Sequence, residues 1–198
     1  EMCIRDRFFY VVSAFFLTFS VYLQGALGAT PVATGLMFVP FGVGFLIGPL
    51  TTPLAIRCVG RWVPALGMLL EVLGCLVLSA AVGGASAGER PALVPLVLGV
   101  GLLGFGQGWA LPTLIRSVMD RAPAGSSGMV SGLVNSALQI SAALGVAVLG
   151  GLFYTVAAPA LSPASLAHGF IAALLGIALS LGLAALLALY ASAPDRAV

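Results

Sequence analysis

Six long apolar runs follow one another through this chain, and they leave it only one environment in which to fold. They cover Phe8–Gly28, Ala33–Ala55, Trp62–Gly83, Ala92–Ile115, Met129–Val156 and His168–Ser192. A helix needs about 20 predominantly apolar residues to cross the hydrocarbon core of a bilayer, and each run meets that length. The runs are continuous rather than alternating, which selects helices over barrel strands. Between them lie turn formers or charge: Gly28-Ala29-Thr30-Pro31, Arg57 to Arg61, Gly83 to Pro91, Arg116 to Gly128 and Pro159 to Pro163. The expected fold is therefore all-α, a polytopic membrane protein built as a six-helix transmembrane bundle over residues 8–192.

The supply of charge agrees with this reading. Charged residues make up 7% of the chain, hydrophobic residues 61%, and lysine is absent. Soluble domains carry about 25% charged residues, so most of this surface has to face lipid. No basic face is available to neutralise phosphates, and a nucleic-acid partner is not expected. Cys3, Cys58 and Cys75 form no CxxC pair and His168 is a lone histidine, so neither a metal nor a cofactor is expected. Cys75, inside the third run, fits the role of a small apolar residue.

The arginines orient the bundle. With loops alternating between the two sides, Arg57, Arg61, Arg116, Arg121 and Arg196 fall on one side and only Arg90 on the other. Basic residues in short loops mark the cytoplasmic face. Both ends of the segment, including a tail at 193–198, are then expected on the cytoplasmic side of the cell membrane. Glu1 to Arg7 is densely charged and stops abruptly at an apolar run. It is expected to be a non-native or cytoplasmic leader, with the remainder a piece of a longer protein.

Glycine is abundant, with 26 residues, and recurs at four-residue spacing in Gly44/Gly48, Gly104/Gly108 and Gly128/Gly132. Small residues at that spacing let helix backbones approach closely. The run Gly104-Phe105-Gly106-Gln107-Gly108, with Pro112 beyond it, marks the fourth span for tight packing or for a kink. A weak internal echo also links two spans. Thr34-Gly35-Leu36 is followed by Gly48, and Ser131-Gly132-Leu133 by Gly145, at the same offset. The two helices run in opposite directions, as members of an inverted repeat do.

Two stretches carry a family resemblance. Tyr22-Leu23-Gln24, Leu27-Gly28, Pro31, Gly35 and Pro40 form one; Asp120-Arg121-Ala122-Pro123, Gly128-Met129, Ser131 to Asn135, Gln139 and Leu144 to Ala147 form the other. Together they resemble the fourteen-span drug:proton antiporter branch of the major facilitator superfamily, over essentially Phe8 to Tyr190. The resemblance implies the C-terminal half of a secondary transporter, with two six-helix bundles around a cavity opened alternately to either side. The implied partners are the bilayer, a missing N-terminal bundle, a small lipophilic substrate and protons. The family's cytoplasmic D-R-x-G-R motif appears here as Arg57-Cys58-Val59-Gly60-Arg61. Only Gly60 and Arg61 match, which suits a structural turn better than a gating latch.

Polar residues inside the spans are the candidate site. Ser131, Asn135 and Gln139 share a helix face, where amides need partners or cavity water. They suit either a substrate-binding cavity wall or interhelical hydrogen bonds, and the resemblance favours the cavity. Gln107 and Gln24 are further cavity candidates, with Tyr22 beside Gln24 near the outer end. Phe15, Phe16, Phe19, Phe38, Phe41, Phe45 and Trp109 offer lipophilic contacts or simple packing. Glu71 is the one acid deep in a span, which makes it a proton-coupling candidate; the alternative is a neutral acid bonded to a neighbouring helix. Gly44, Gly48, Gly104, Gly108 and Gly145 are assigned to helix packing.

Two other function classes compete. A scaffold or anchor subunit needs only the glycine-rich helices, and the polar stripe argues against it. Gly125-Ser126-Ser127-Gly128 with His168 is similar to the serine motif of rhomboid-type intramembrane proteases. A nucleophile and its base must lie within about 3 Å, whereas these residues are expected at opposite membrane faces. No enzymatic activity is expected.

Overall fold

The computed structural model describes residues 2–85, 91–120, 127–158 and 161–191, with side chains from Val11 onward except at Arg61, Ser127, Tyr190 and Ala191. The proposed leader 1–7, apart from its helical backbone after residue 1, lies outside these limits, as do Arg90, Arg121 and the tail 193–198. The helices are α1 (Met2–Val21), α2 (Pro31–Met37), α3 (Val39–Val59), α4 (Val63–Gly83), α5 (Leu93–Met119), α6 (Ser127–Ala157) and α7 (Pro163–Ala191). A π-helical turn, Tyr22–Ala26, extends α1. Among the described residues there is no strand. Five helical stretches are long and apolar enough to cross a membrane, α2 and α3 counting as one, and Val11–Ala26 is a shorter apolar helix. The chain is an all-α, multi-pass membrane bundle.

Local chemistry explains the helix ends. Thr30 caps α2, its hydroxyl accepting from the Ala33 N–H at 3.2 Å, with Pro31 in the first turn. Pro40 stands in the first turn of α3, directly after the break at Phe38 that separates α2 from α3. Gly60 closes α3 at φ 60 and ψ −128, a conformation side chains rarely adopt. At the start of α7, the Ser165 N–H donates to the Ser162 hydroxyl at 3.2 Å.

Helix directions follow from which residues meet. Gly44 lies against Gly101 and Phe105, and Gly48 against Phe105 and Gly108, so α3 and α5 run parallel. Gly67 meets Gly106 and Ala110 while Gly74 meets Gly99 and Leu103, so α4 and α5 are antiparallel. Gly83 touches Ile171, and Gly169 touches Phe153 and Ala157, which makes α7 antiparallel to both α4 and α6. Arg57 and Arg116, in the last turns of α3 and α5, consequently share one end of the bundle.

The packing pattern repeats with inversion. α5 lies between α3 and α4, and α1 lies between α6 and α7, while α4 packs on α7. Exchanging α1, α3 and α4 for α5, α6 and α7 preserves these neighbours and reverses every direction. The match fails at one place: α6 packs well on α7, whereas α3 barely touches α4.

The core runs through Phe15, Phe19, Met68, Leu78, Phe153, Phe170, Leu174, Ile177 and Leu181, each at most 2% exposed. α3 and α6 are the exposed members of the two triplets. Leu46, Leu50 and Leu54 of α3 are 68%, 71% and 63% exposed, as are Met129 and Ile140 of α6 at 75% and 62%. An apolar exterior is what lipid, or a second apolar bundle, accommodates.

A Cβ on Gly104 would run into the Phe41 backbone, whereas one on Gly132 would meet nothing within 4 Å. Gly104→Leu is expected to destabilise the bundle by about 1–3 kcal/mol or more through overpacking. Gly132→Ala is expected to leave stability unchanged or raise it by up to about 1 kcal/mol. Thermal unfolding of the two variants in detergent checks the contrast; equal melting temperatures would contradict this packing.

Candidate functional site

Ser131, Asn135 and Gln139 are exposed on the first half of α6, the helix that packs on α1 and α7. The packed face carries Val134, Ser141, Gly145, Leu149 and Phe153, all buried. The Ser131 hydroxyl donates to the Gly128 carbonyl of its own helix at 2.9 Å. For Asn135 and Gln139 the structure records no hydrogen bond to another described residue. From Ser131 to Gln139 the stripe is about 12 Å long at 1.5 Å per residue. Exposed amides inside a membrane span require water, a ligand or another chain.

The other polar candidates are dispersed. Gln24 sits exposed in the π-helical turn, and its amide donates to the Ser20 hydroxyl at 3.2 Å. Gln107 does not join the exposed stripe; it is 3% exposed on α5, a helix that makes only slight contact with α6. Glu71 faces the bundle interior at 1% exposure, with its Cγ 2.8 Å from the point where a Cβ on Gly106 would stand. Glu71 Oε1 and Gln107 Oε1 are both buried without a hydrogen-bond partner.

The buried hydroxyls behave differently. Thr18 donates to the Ala14 carbonyl at 2.8 Å, Thr34 to Thr30 at 3.0 Å and Thr52 to Gly48 at 3.0 Å. A threonine satisfies itself on the preceding turn, whereas the buried Glu71 and Gln107 each leave an oxygen without a partner.

Gly44, Gly48, Gly104 and Gly108 interlock at the α3–α5 crossing, with the Gly48 site 2.7 Å from the Gly108 Cα. Gly145 is buried on α6. Gly60 makes the turn after α3, and the side chain of Arg61 lies outside the described set. Among the aromatics, Phe15, Phe19 and Tyr22 are core residues, and Phe16 and Phe45 are partly exposed.

Two features escaped the sequence reading. The first is a second glycine seam on α4 and α5, made by Gly67, Gly74, Gly99 and Gly106. Its signal was a spacing of seven on each helix, hidden by the more obvious spacing of four. The second is a bond from the Trp109 indole N–H to the Thr51 hydroxyl at 2.9 Å, which ties α5 to α3. Thr51 also donates to the Gly48 carbonyl at 2.9 Å.

A protease arrangement finds no support in this layout. His168 is exposed in the second turn of α7, next to Gly169, which packs on Phe153 near the far end of α6. Ser127 begins α6, roughly 39 Å before Phe153 along the helix at 1.5 Å per residue. Gly125 and Ser126 lie outside the described residues. Among the described residues no cluster of His, Cys, Asp or Glu has the makings of a metal site.

No protein-family model matches the chain. It is similar to the multidrug resistance protein Stp of Mycobacterium tuberculosis, at 32% identity over 157 residues, covering 78% of this chain. It is 34% identical over 140 residues to the puromycin resistance protein pur8 of Streptomyces alboniger, covering 68% of this chain. With the tetracenomycin C resistance and export protein of Streptomyces glaucescens it shares 32% over 146 residues, 73% of this chain. The chain spans only about a quarter of the length of these relatives, 28%, 26% and 26% respectively. It is thus a multi-pass membrane protein related to drug-resistance and export proteins.

The stripe makes a direct prediction. In a background with the native cysteines replaced, Asn135→Cys and Gln139→Cys are expected to react with a membrane-impermeant maleimide in vesicles. Ser141→Cys, buried at 4% exposure, is expected to stay unmodified. Equal protection at all three positions would mean that lipid covers the stripe.

Proposed function

We propose that this chain is one six-helix half of a major facilitator transporter that exports lipophilic, drug-like compounds in exchange for protons. The observation that carries the proposal is the exposed stripe Ser131–Asn135–Gln139 on α6, among exposed apolar residues such as Leu133, Ile140 and Leu144. Such a stripe suits the wall of a cavity closed by a second bundle, which would rest on the apolar faces of α3 and α6. Three observations support the reading. The relatives are named for resistance and export, five helical stretches are long and apolar enough to cross a membrane, and the two triplets are arranged as an inverted repeat. The antiporter branch is proposed from the motif resemblance.

In this reading Ser131, Asn135 and Gln139 hydrogen-bond the substrate, and Gln24 lies at an outer vestibule. Glu71 exchanges the coupling proton, and alternating access comes from one bundle rocking on the other. The end that carries Arg57 and Arg116 faces the cytoplasm of the cell membrane.

Residues 8–198 reconstituted alone into proteoliposomes are expected to give no flux of a fluorescent lipophilic cation under a proton gradient. The complete transporter containing this segment is expected to carry it. Asn135→Ala in that protein should raise KM by up to about tenfold, the worth of one hydrogen bond. Glu71→Gln should abolish the dependence on the proton gradient. Flux through the isolated segment would overturn the two-bundle reading, and unchanged proton-driven transport in Glu71→Gln would remove Glu71 from the coupling.

A further inference from the structure

The buried orphan oxygens, Glu71 Oε1 and Gln107 Oε1, belong to the adjacent helices α4 and α5, and the residue before Gln107 packs against Glu71. Gly67 of α4 packs on Gly106 and on Ala110 of α5, and the Glu71 side chain passes directly over Gly106. Gln107 falls between those two contact points, in the turn of α5 that spans Gly67 and Glu71. Adjacent Cα atoms are about 3.8 Å apart, so the glutamine amide is within side-chain reach of the carboxyl group.

The chemistry of the two groups is complementary on one condition. An ionised carboxylate offers acceptors only, as does the amide oxygen. Brought together, they leave acceptor against acceptor, and at least one oxygen stays orphaned in a place where that is costly. A proton on the carboxyl group changes the count. The acid O–H donates to Gln107 Oε1, and the amide N–H of Gln107 donates back to Glu71 Oε1. Both orphan atoms are then satisfied by one cyclic, two-bond pair. We infer that Glu71 and Gln107 form such an acid–amide pair, a proton-holding tie between α4 and α5.

No described cation competes for Glu71. Arg57 and Arg116 lie in the last turns of α3 and α5, Arg116 with Asp120 3.8 Å away, and His168 is exposed near the start of α7. Arg116 is nine residues past Gln107, about 13 Å along the helix. Cys75, buried one turn further along α4, is the remaining described titratable group on that helix. The tie also explains why α4 tolerates an acid in its packed face: the seam of Gly67, Gly74, Gly99 and Gly106 brings the backbones close enough for the side chains to meet.

This inference does not rest on transport. It is tested on the full chain, purified in detergent or nanodiscs, by infrared spectroscopy. The wild type is expected to show the carbonyl stretch of a protonated carboxylic acid, absent in Glu71→Gln and shifted upward in Gln107→Leu as the acid loses its acceptor. A parallel series of melting temperatures guards against misfolding of one variant. Glu71→Leu and Gln107→Leu should each lower the melting temperature. The double Leu variant should recover much of the loss because no orphan remains, and Glu71→Gln should stay near wild type through an amide–amide pair. An acid band unaffected by Gln107→Leu, no acid band assignable to Glu71, or strictly additive losses in the double variant would each overturn the pair.

Discussion

Close backbone contact along two faces of α5 is the constraint from which the rest of the bundle follows. Gly99 and Gly106 face α4; Gly104 and Gly108 face α3, where Gly44 and Gly48 meet them. In a bilayer, apolar side chains gain little by leaving lipid for protein, so helix association depends on dispersion between surfaces that fit closely. Bare backbone gives the closest fit available. A helix with glycines on two faces therefore acts as a wedge, fixing α3 on one side and α4 on the other. α3 and α4 barely touch each other directly, which is the expected result when both are held by a third helix.

The inverted partner of this wedge is α1, between α6 and α7, and it achieves the same placement with bulk instead of with glycine. Phe19 stacks on Phe170 at 5.5 Å and Tyr22 on the same ring at 4.9 Å, while Phe15 stacks on Phe19 at 5.2 Å. A glycine appears on the partner instead: Gly150 of α6 receives Leu17 of α1, and where α6 meets α7, Gly169 lies against Phe153 and Gly176 against Leu149. The helix arrangement is thus nearly symmetric while its packing chemistry is not. What the repeat preserves is complementarity between a large surface and a small one, whichever helix supplies each.

Polar groups divide along the same lines. Hydroxyls fold back onto their own helices, so Thr18, Thr34 and Thr52 are buried without needing a neighbour. Longer amides and acids do this only in part: the Gln24 amide reaches back to the Ser20 hydroxyl, and the others do not. Glu71 packs against Gly106 of α5 and Gln107 is buried next to Gly106 in sequence, each with an unpartnered oxygen, while Asn135 and Gln139 stand in open space on α6. A polar tie and a polar stripe consequently occupy different helices and offer different chemistry.

The sequence by itself determined the solvent, the secondary structure class and the chemistry on offer. Charge at 7% and repeated apolar runs admit only membrane helices, because every backbone group must be satisfied within its own segment. The spacing of Ser131, Asn135 and Gln139 placed them on one face, since a helical period is local information. The four-residue glycine pairs at 44/48 and 104/108 were visible for the same reason. Which face meets which helix was not visible. Gly128 and Gly132 have the same spacing yet meet nothing, and Gln107, a further cavity candidate, is buried on α5. Only the tertiary structure decided these, because the partner of a helix face is chosen by fit to a surface tens of residues away, and a period along one helix carries no record of that surface.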